Sequence, residues 1–224
     1  MRPKIADRVQ YLLDTCRGKR VLHVGCANWP YTQEQLREGS LLHAAIEKVA
    51  GALYGIDLSE EAIELLAAHG YKNLAVANIE EMPCKNPFGD VDFDLVLAGE
   101  VIEHLSNPGL FLEGVKTVLQ GSSGKLVLTT VNAYCAHRFV YSLLTGREAV
   151  HPDHVSYYSR STLTRLVERH GYEMEDFSFY SAQEYERLLN RGRARILWWV
   201  ERFVCRFCPV LGEGVIAVCK IKNV

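Results

Sequence analysis

Residues 98–105, AGEVIEHL, put Glu100, Glu103 and His104 within five positions of one another, directly after the apolar run Leu95-Val96-Leu97. A second polar group, HPDH, carries His151 and His154. On a helix, positions i, i+3 and i+4 share a face, so the two carboxylates and the imidazole of the first group are expected to point into one cleft. Three chemistries suit such a set. A neutral imidazole, at His104, His154 or His151, is suited to take a proton from a nucleophile near neutral pH. Glu100 can instead orient backbone amides while His104 forms a hydrogen-bonded wall. Glu100, Glu103, His104 and either His151 or His154 can also hold a divalent cation that acidifies an acceptor hydroxyl. The catalytic set taken forward is His104, Glu100 and His154, without a metal.

Those residues need elements to position them. Ile5, Val9, Leu12 and Leu13 recur at helical spacing and predict a short first helix. Residues 20–25 read as a doubly buried strand, Gln33 to Val49 as a helix, and Ala52 to Ile56 as a strand closing on Asp57. Ser59 with Glu60 and Glu61 opens a helix that stops at Gly70. Strands near Leu74–Ala77, Phe93–Leu97 and Lys125–Thr130, and helices at Leu110–Leu119 and Ser161–His170, continue the alternation. Phe177–Tyr180 and Val215–Ile221 read as two closing strands. Strands and helices in this order imply a doubly wound, mostly parallel α/β domain.

Ligands of open α/β sheets sit beyond the carboxyl ends of the strands. Gly25-Cys-Ala-Asn-Trp29 follows the first strand as a tight turn of small residues. Asp57 follows the second, where a carboxylate can accept from two vicinal ribose hydroxyls. Asn78 and Ile79 follow the third, one able to bond an exocyclic amine and the other to pack on a purine. The full G-x-G-x-x-G of a dinucleotide site is absent, so the pattern describes an adenosine-bearing ligand of another kind.

Taken in order, VLHVGC (21–26), GIDLS (55–59), ANIEEMP (77–83), FDLVLAGEVIEH (93–104) and LTTVN (128–132) resemble the successive motifs of class I S-adenosylmethionine-dependent methyltransferases. The segment HPDHVSYYSRSTLTRLVERHGY is similar to bacterial small-molecule and glycan-associated members. The resemblance implies a seven-stranded sheet with the last strand antiparallel. It also implies Gly25 and Ala27 under the methionine part of the cofactor, Asp57 on the ribose, Leu58, Asn78 and Ile79 around the adenine, and Ala98 to Glu100 beside the sulfonium. The product would be S-adenosylhomocysteine. His23, Ala27, Trp29 and Asn78 depart from the family's usual acidic residue, glycines and aspartate, which leaves a noncatalytic adenosine-cofactor-binding protein as one alternative. The Glu, Glu-His, His set is similar to that of methyltransferases modifying the terminal ribose of small RNAs, which leaves a metal-assisted RNA enzyme as another. The main expectation is O-methylation of a small molecule such as a sugar, glycan precursor or lipid-linked intermediate.

Bulk properties bound the partners. A chain of 224 residues, 48% hydrophobic and 23% charged, supports one domain. Twenty-five basic against 27 acidic side chains create no global field for nucleic acid. Seven scattered cysteines fit a reducing, cytoplasmic setting, and the Cys205-Arg-Phe-Cys208 pair reads as packing. Neither a secretory leader nor a membrane span is expected. Residues 185–210, rich in arginine and aromatics, read as a helical insertion between the last two strands. That insertion reads first as an amphipathic helix packed on the domain, and also suits peripheral membrane contact, a cap on the acceptor pocket, or dimerisation.

Overall fold

A computed structural model describes residues 5–81, 86–89, 91–119, 121, 123–181 and 203–222. In chain order the elements are β1 (Ile5–Ala6), α1 (Arg8–Cys16), β2 (Arg20–Val24), α2 (Thr32–Glu38), α3 (Leu42–Glu47), β3 (Ala52–Asp57), α4 (Glu60–Ala68), β4 (Leu74–Val76), β5 (Leu95–Gly99), α5 (Pro108–Leu119), β6 (Lys125–Val131), α6 (Ala136–Thr145), α7 (Arg160–Arg169), β7 (Tyr172–Tyr180) and β8 (Gly214–Ile221). The strands form one sheet in the order β1-β7-β8-β6-β5-β2-β3-β4. Every pairing is parallel except the two made by β8.

Alternation along the central strands sends side chains to two cores. Val96 and Ala98 of β5 face one side with Phe111, Leu112 and Val115 of α5 and Leu163 and Val167 of α7. Leu95 and Leu97 face the other with Leu12 and Cys16 of α1 and Ile46 of α3. A sheet covered on both faces is the doubly wound arrangement that the near-continuous apolar strands require.

The departures from the sequence reading have local causes. An eighth strand is present because Ile5 and Ala6 pair with Phe179 and Tyr180, while Asp7 caps α1 through its side chain on the Gln10 amide. The expected helix from Gln33 to Val49 is two helices, because Gly39 ends α2 in the left-handed region at φ 67°. β7 begins five residues before Phe177, and a register shift between Met174 and Asp176 interrupts the alternation that would have marked it. Helix α6 was not anticipated at all. Ser59 and Ser159 cap α4 and α7, as the Ser-led starts implied for α4.

Of the expected insertion, residues 185–202 lie outside the described residues; residues 203–207 are helical, with Phe203 and Phe207 exposed. Cys205 is buried and Cys208 exposed. Among the described residues no helix is long and apolar enough to cross a membrane.

Candidate active site

The carboxyl ends of β2, β3, β4 and β5 meet at one rim because the four strands are adjacent and parallel. Gly25 turns the chain out of β2 at φ 70°, and a Cβ there would come within 2.8 Å of Val101 Cγ2. The first loop therefore packs directly on the EVIEHL segment, and only glycine satisfies both the conformation and the contact. Asp57, at the end of β3, ties that loop in place. Its Oδ2 accepts from the Ala27 amide at 3.0 Å and its Oδ1 from the Ser59 amide at 3.1 Å. Each oxygen keeps a lone pair directed elsewhere, enough for a pair of ribose hydroxyls.

Beyond Asp57 lies a cavity of about 430 Å³ lined by Leu58, Val76, Ala77, Asn78, Glu81, Asn86 and Pro87. Leu58 is 69% exposed and Val76 50%, an apolar surface that a purine face would cover. The Asn78 amide oxygen already accepts from the Glu80 amide at 3.0 Å and retains one lone pair. Ile79, expected against the purine, is instead buried in the core and is not among the residues that line this cavity. Ala98 is enclosed within β5, so Gly99 and Glu100 form the rim there. These residues fit an adenosine-bearing cofactor. Replacing Asp57 with alanine is expected to weaken S-adenosylmethionine binding about 30-fold, since two amides lose a charged partner and the ribose loses its acceptor. A calorimetric titration checks this, and unchanged affinity would place the ribose elsewhere.

His23 does not reach this rim. It is buried, with Nδ1 3.2 Å from His43 Nδ1 and the two rings stacked. The position that is usually acidic in the family therefore serves the core here, and His43 of α3 is its partner.

The EVIEHL segment is not a continuous α-helix. Glu100 adopts φ 57°, and residues 102–104 form a single 3₁₀ turn. Glu100 Oε1 accepts from Tyr180 Oη at 2.6 Å and from Thr129 Oγ1 at 3.1 Å; Arg8 Nε donates to Thr129 Oγ1 at 3.1 Å and stands 3.8 Å from the same carboxylate oxygen. Burial and the Glu100 charge hold the Tyr180 phenol well above its ordinary pKa, so it remains a donor. A left-handed non-glycine residue costs about 1–3 kcal/mol, and this network holds it. Tyr180, Thr129 and Arg8 went unnoticed in the sequence because they lie 29 to 121 residues from the groups they bind.

Glu103 and His104 occupy the next turn, and the HPDH loop folds onto them. The Val155 and Ser156 amides both donate to the Glu103 carbonyl, at 2.9 and 3.2 Å. The His104 ring lies 4.6 Å from that of His154 and 6.1 Å from that of His151. His104 Nδ1 is 3.1 Å from the Asp153 carbonyl. Since a carbonyl only accepts, Nδ1 carries the proton and Nε2 keeps its lone pair. Burial, followed by the neighbouring His104 and His151, lowers His154 to about 4, so it stays neutral at neutral pH. Glu103 is fully buried, and neither of its carboxylate oxygens meets a partner in hydrogen-bond geometry. Burial, then the Glu100 charge, raises its pKa to about 8. One ligand atom each from Glu103, His104 and His154 lie within 4.8 Å of one another. The expected face of Glu100, Glu103 and His104 is thus divided: Glu100 turns to Tyr180, while Glu103 and His104 join His154.

Comparison with known proteins agrees with this architecture. Residues 1–176 match the family model described as a methyltransferase domain. A ubiquinone biosynthesis O-methyltransferase from Coxiella burnetii is 26% identical over 173 residues, covering 73% of this chain and 68% of the relative. An S-adenosylmethionine-dependent methyltransferase structure from Archaeoglobus fulgidus superposes with a TM-score of 0.58 at 18% identity, covering 95% of this chain and 91% of the other. The small RNA methyltransferase HEN1 superposes with a TM-score of 0.61 at 17% identity, covering 97% of this chain and 25% of that one. The chain belongs to the methyltransferase-domain family, as a class I S-adenosylmethionine-dependent methyltransferase.

Proposed function

We propose that the protein methylates a hydroxyl oxygen of a small molecule, such as a sugar, a glycan precursor or a lipid-linked intermediate, with His104 as the general base. The observation that carries this reading is the fixed tautomer of His104: its Nδ1–H donates to the Asp153 carbonyl, which leaves Nε2 as the acceptor nitrogen of an exposed side chain in the turn that follows β5. The name of the Coxiella relative supports transfer to oxygen. S-adenosylmethionine, when bound, supplies a methyl on a positively charged leaving group. Leu58 and Asn78 would hold its adenine, Asp57 its ribose and the Gly25 turn its methionine part. The protein's remaining tasks are to align the acceptor and remove its proton. His104 Nε2 takes the hydroxyl proton and the Asp153 carbonyl steadies the imidazolium through Nδ1. His154, held neutral, and Glu103, held protonated, place no competing charge in the cleft.

The test is a screen of radiolabelled methyl transfer from S-adenosylmethionine onto fractionated glycan, lipid and RNA extracts. Label appearing as a methyl ether in the glycan or lipid fraction is the expected result. Label confined to RNA would overturn it.

A second reading is favoured by the orphaned Glu103 carboxylate and the close donors around it: a divalent cation held by Glu103, His104 and His154. Mixed carboxylate and imidazole donors suit zinc, iron or manganese. Glu100 and His151 are not in this group. On the first reading, dialysis against a chelator leaves methyl transfer unchanged. Loss of activity that returns with added metal would establish the second. RNA as the acceptor would show separately as RNA binding that weakens steeply with salt.

A further inference from the structure

Helix α6 carries its apolar side chains outward: Phe139, Leu143 and Leu144 form an exposed stripe, and no residue of the helix is buried. Its cation turns the other way. Arg138 is half-buried, its Nη1 donates to the Asn132 carbonyl at 3.2 Å, and its guanidinium lies 5.1 Å from the centre of the Tyr157 ring. One planar group thus makes a hydrogen bond and a cation–π contact at once, which fixes its orientation twice. Asn132 is a firm base for it. That residue is 1% exposed; its amide donates to the Glu213 carbonyl at 2.8 Å, and its Nδ2 donates to the Val210 and Gly212 carbonyls at 2.7 and 2.6 Å.

The histidine loop hangs from the other end of this contact. Residues 148–157 form no helix or strand, so side-chain packing and isolated hydrogen bonds must hold them. Tyr158 pairs with Asn132, and the Glu103 carbonyl accepts from Val155 and Ser156, which anchors the end of the loop. Residues 151–154 make a turn of their own. The His154 amide donates to the His151 carbonyl at 3.1 Å and the Asp153 amide to His151 Nδ1 at 3.3 Å. This turn supplies the Asp153 carbonyl that accepts from His104 Nδ1. Tyr157 meets it at two points: its Oη accepts from the His151 amide at 3.4 Å, and its ring lies 5.6 Å from that of His154.

We propose that Arg138 and Tyr157 are positioning residues for His104. By holding the 151–154 turn, they keep the Asp153 carbonyl where it fixes the His104 proton on Nδ1 and leaves Nε2 as the acceptor. The line of support runs from Asn132 through Arg138 and Tyr157 to the turn, and from the turn to the His104 ring. The use of that nitrogen in methyl transfer rests on the proposed methylation of a hydroxyl, whereas control of the tautomer does not.

The test reads the tautomer directly. Long-range proton–nitrogen NMR spectra of the full chain, labelled with nitrogen-15 histidine and dialysed against a chelator, are recorded at about pH 8, where ordinary imidazoles are neutral. Such spectra distinguish an Nδ1–H ring from an Nε2–H ring, and the signal lost in His104→Ala identifies His104. The parent is expected in the Nδ1–H form. Arg138→Met keeps an apolar stem and removes the guanidinium, and Tyr157→Leu removes the ring face and the hydroxyl. Each is expected to move His104 toward the Nε2–H form that free histidine prefers. Arg138→Lys, which keeps a cation over the ring, should stay closer to the parent. The two positions lie on different elements, so a variant that fails to fold leaves the other to decide. In transfer of radiolabelled methyl, Arg138→Met should lower turnover about 10- to 100-fold at saturating S-adenosylmethionine and leave cofactor affinity within about twofold. It should cause no further loss in the His104→Ala background. A parent ring in the Nε2–H form, an Nδ1–H form kept in both variants, or a loss that adds to that of His104→Ala would each overturn the proposal. Full activity of His104→Ala would instead overturn the general-base reading and leave control of the tautomer standing.

Discussion

His104→Ala is expected to lower kcat by about 10²- to 10⁴-fold, the range for loss of a positioned general base, while leaving S-adenosylmethionine affinity within about twofold. The size follows from the geometry. No other described imidazole at the rim combines exposure with a fixed acceptor nitrogen: the Nδ1 of His154 is buried, and its ring is held neutral with a low basicity. His151 Nδ1 is engaged by the Asp153 amide at 3.3 Å. Added imidazole should restore part of the rate in the variant. Parallel losses in turnover and cofactor affinity would instead make His104 a wall residue. Loss that added divalent metal reverses would identify it as a ligand, the second reading of the site. Glu103→Gln separates these further. It removes no charge from a carboxyl group that is already protonated, and so leaves turnover nearly intact under general-base chemistry. Under metal binding it removes an anionic ligand and abolishes turnover.

How much of this could be read in the sequence follows from how local each signal is. The strand ends were legible because a parallel sheet leaves its ligand residues at fixed offsets after apolar runs, and Gly25, Asp57 and Asn78 all stand at such offsets. The caps of α4 were legible for the same reason, since Ser59 acts three residues away. The division of EVIEHL was not. Helical spacing placed Glu100 with Glu103 and His104, but the left-handed backbone at Glu100 breaks that periodicity, and it is held by Tyr180, 80 residues away. The inverted helix α6 was missed because no described side chain of it is buried, so its stripe bears no relation to the core that defines the other helices. His23 reads in isolation as a departure from an acidic motif. Only the fold shows that His43, 20 residues later on α3, completes it.

That pair makes the protein acid-sensitive in a defined window. Two neutral imidazoles whose Nδ1 atoms are 3.2 Å apart share one proton, with one ring donating and the other accepting. Protonating both rings would place like charges face to face in the core. Burial is the largest cause that lowers both rings. For His23 the facing His43 and the nearby Arg8 add to it, and His43 is brought to about 4 from an ordinary 6.5. Tyr71 stands edge-on to His43, and although Glu47 lines the same cavity, burial alone accounts for the shift of His43.

Above 6.5 both rings are neutral whether the chain is folded or not, and the pair costs no stability. As pH falls through 6.5 the unfolded chain takes up protons that the folded core refuses, so stability drops. The loss from His43 levels off only near 4, where the folded ring is protonated too. Holding His43 at about 4 corresponds to a loss of about 3 kcal/mol across that window, a large part of the stability of an ordinary domain. Urea unfolding at a series of pH values should therefore show the parent losing more stability below 6.5 than the double variant His23→Leu, His43→Leu, a comparison in which the opposing contribution of Glu103, held at about 8, is common to both chains. An equal loss in both chains would mean that the acid response arises outside this pair.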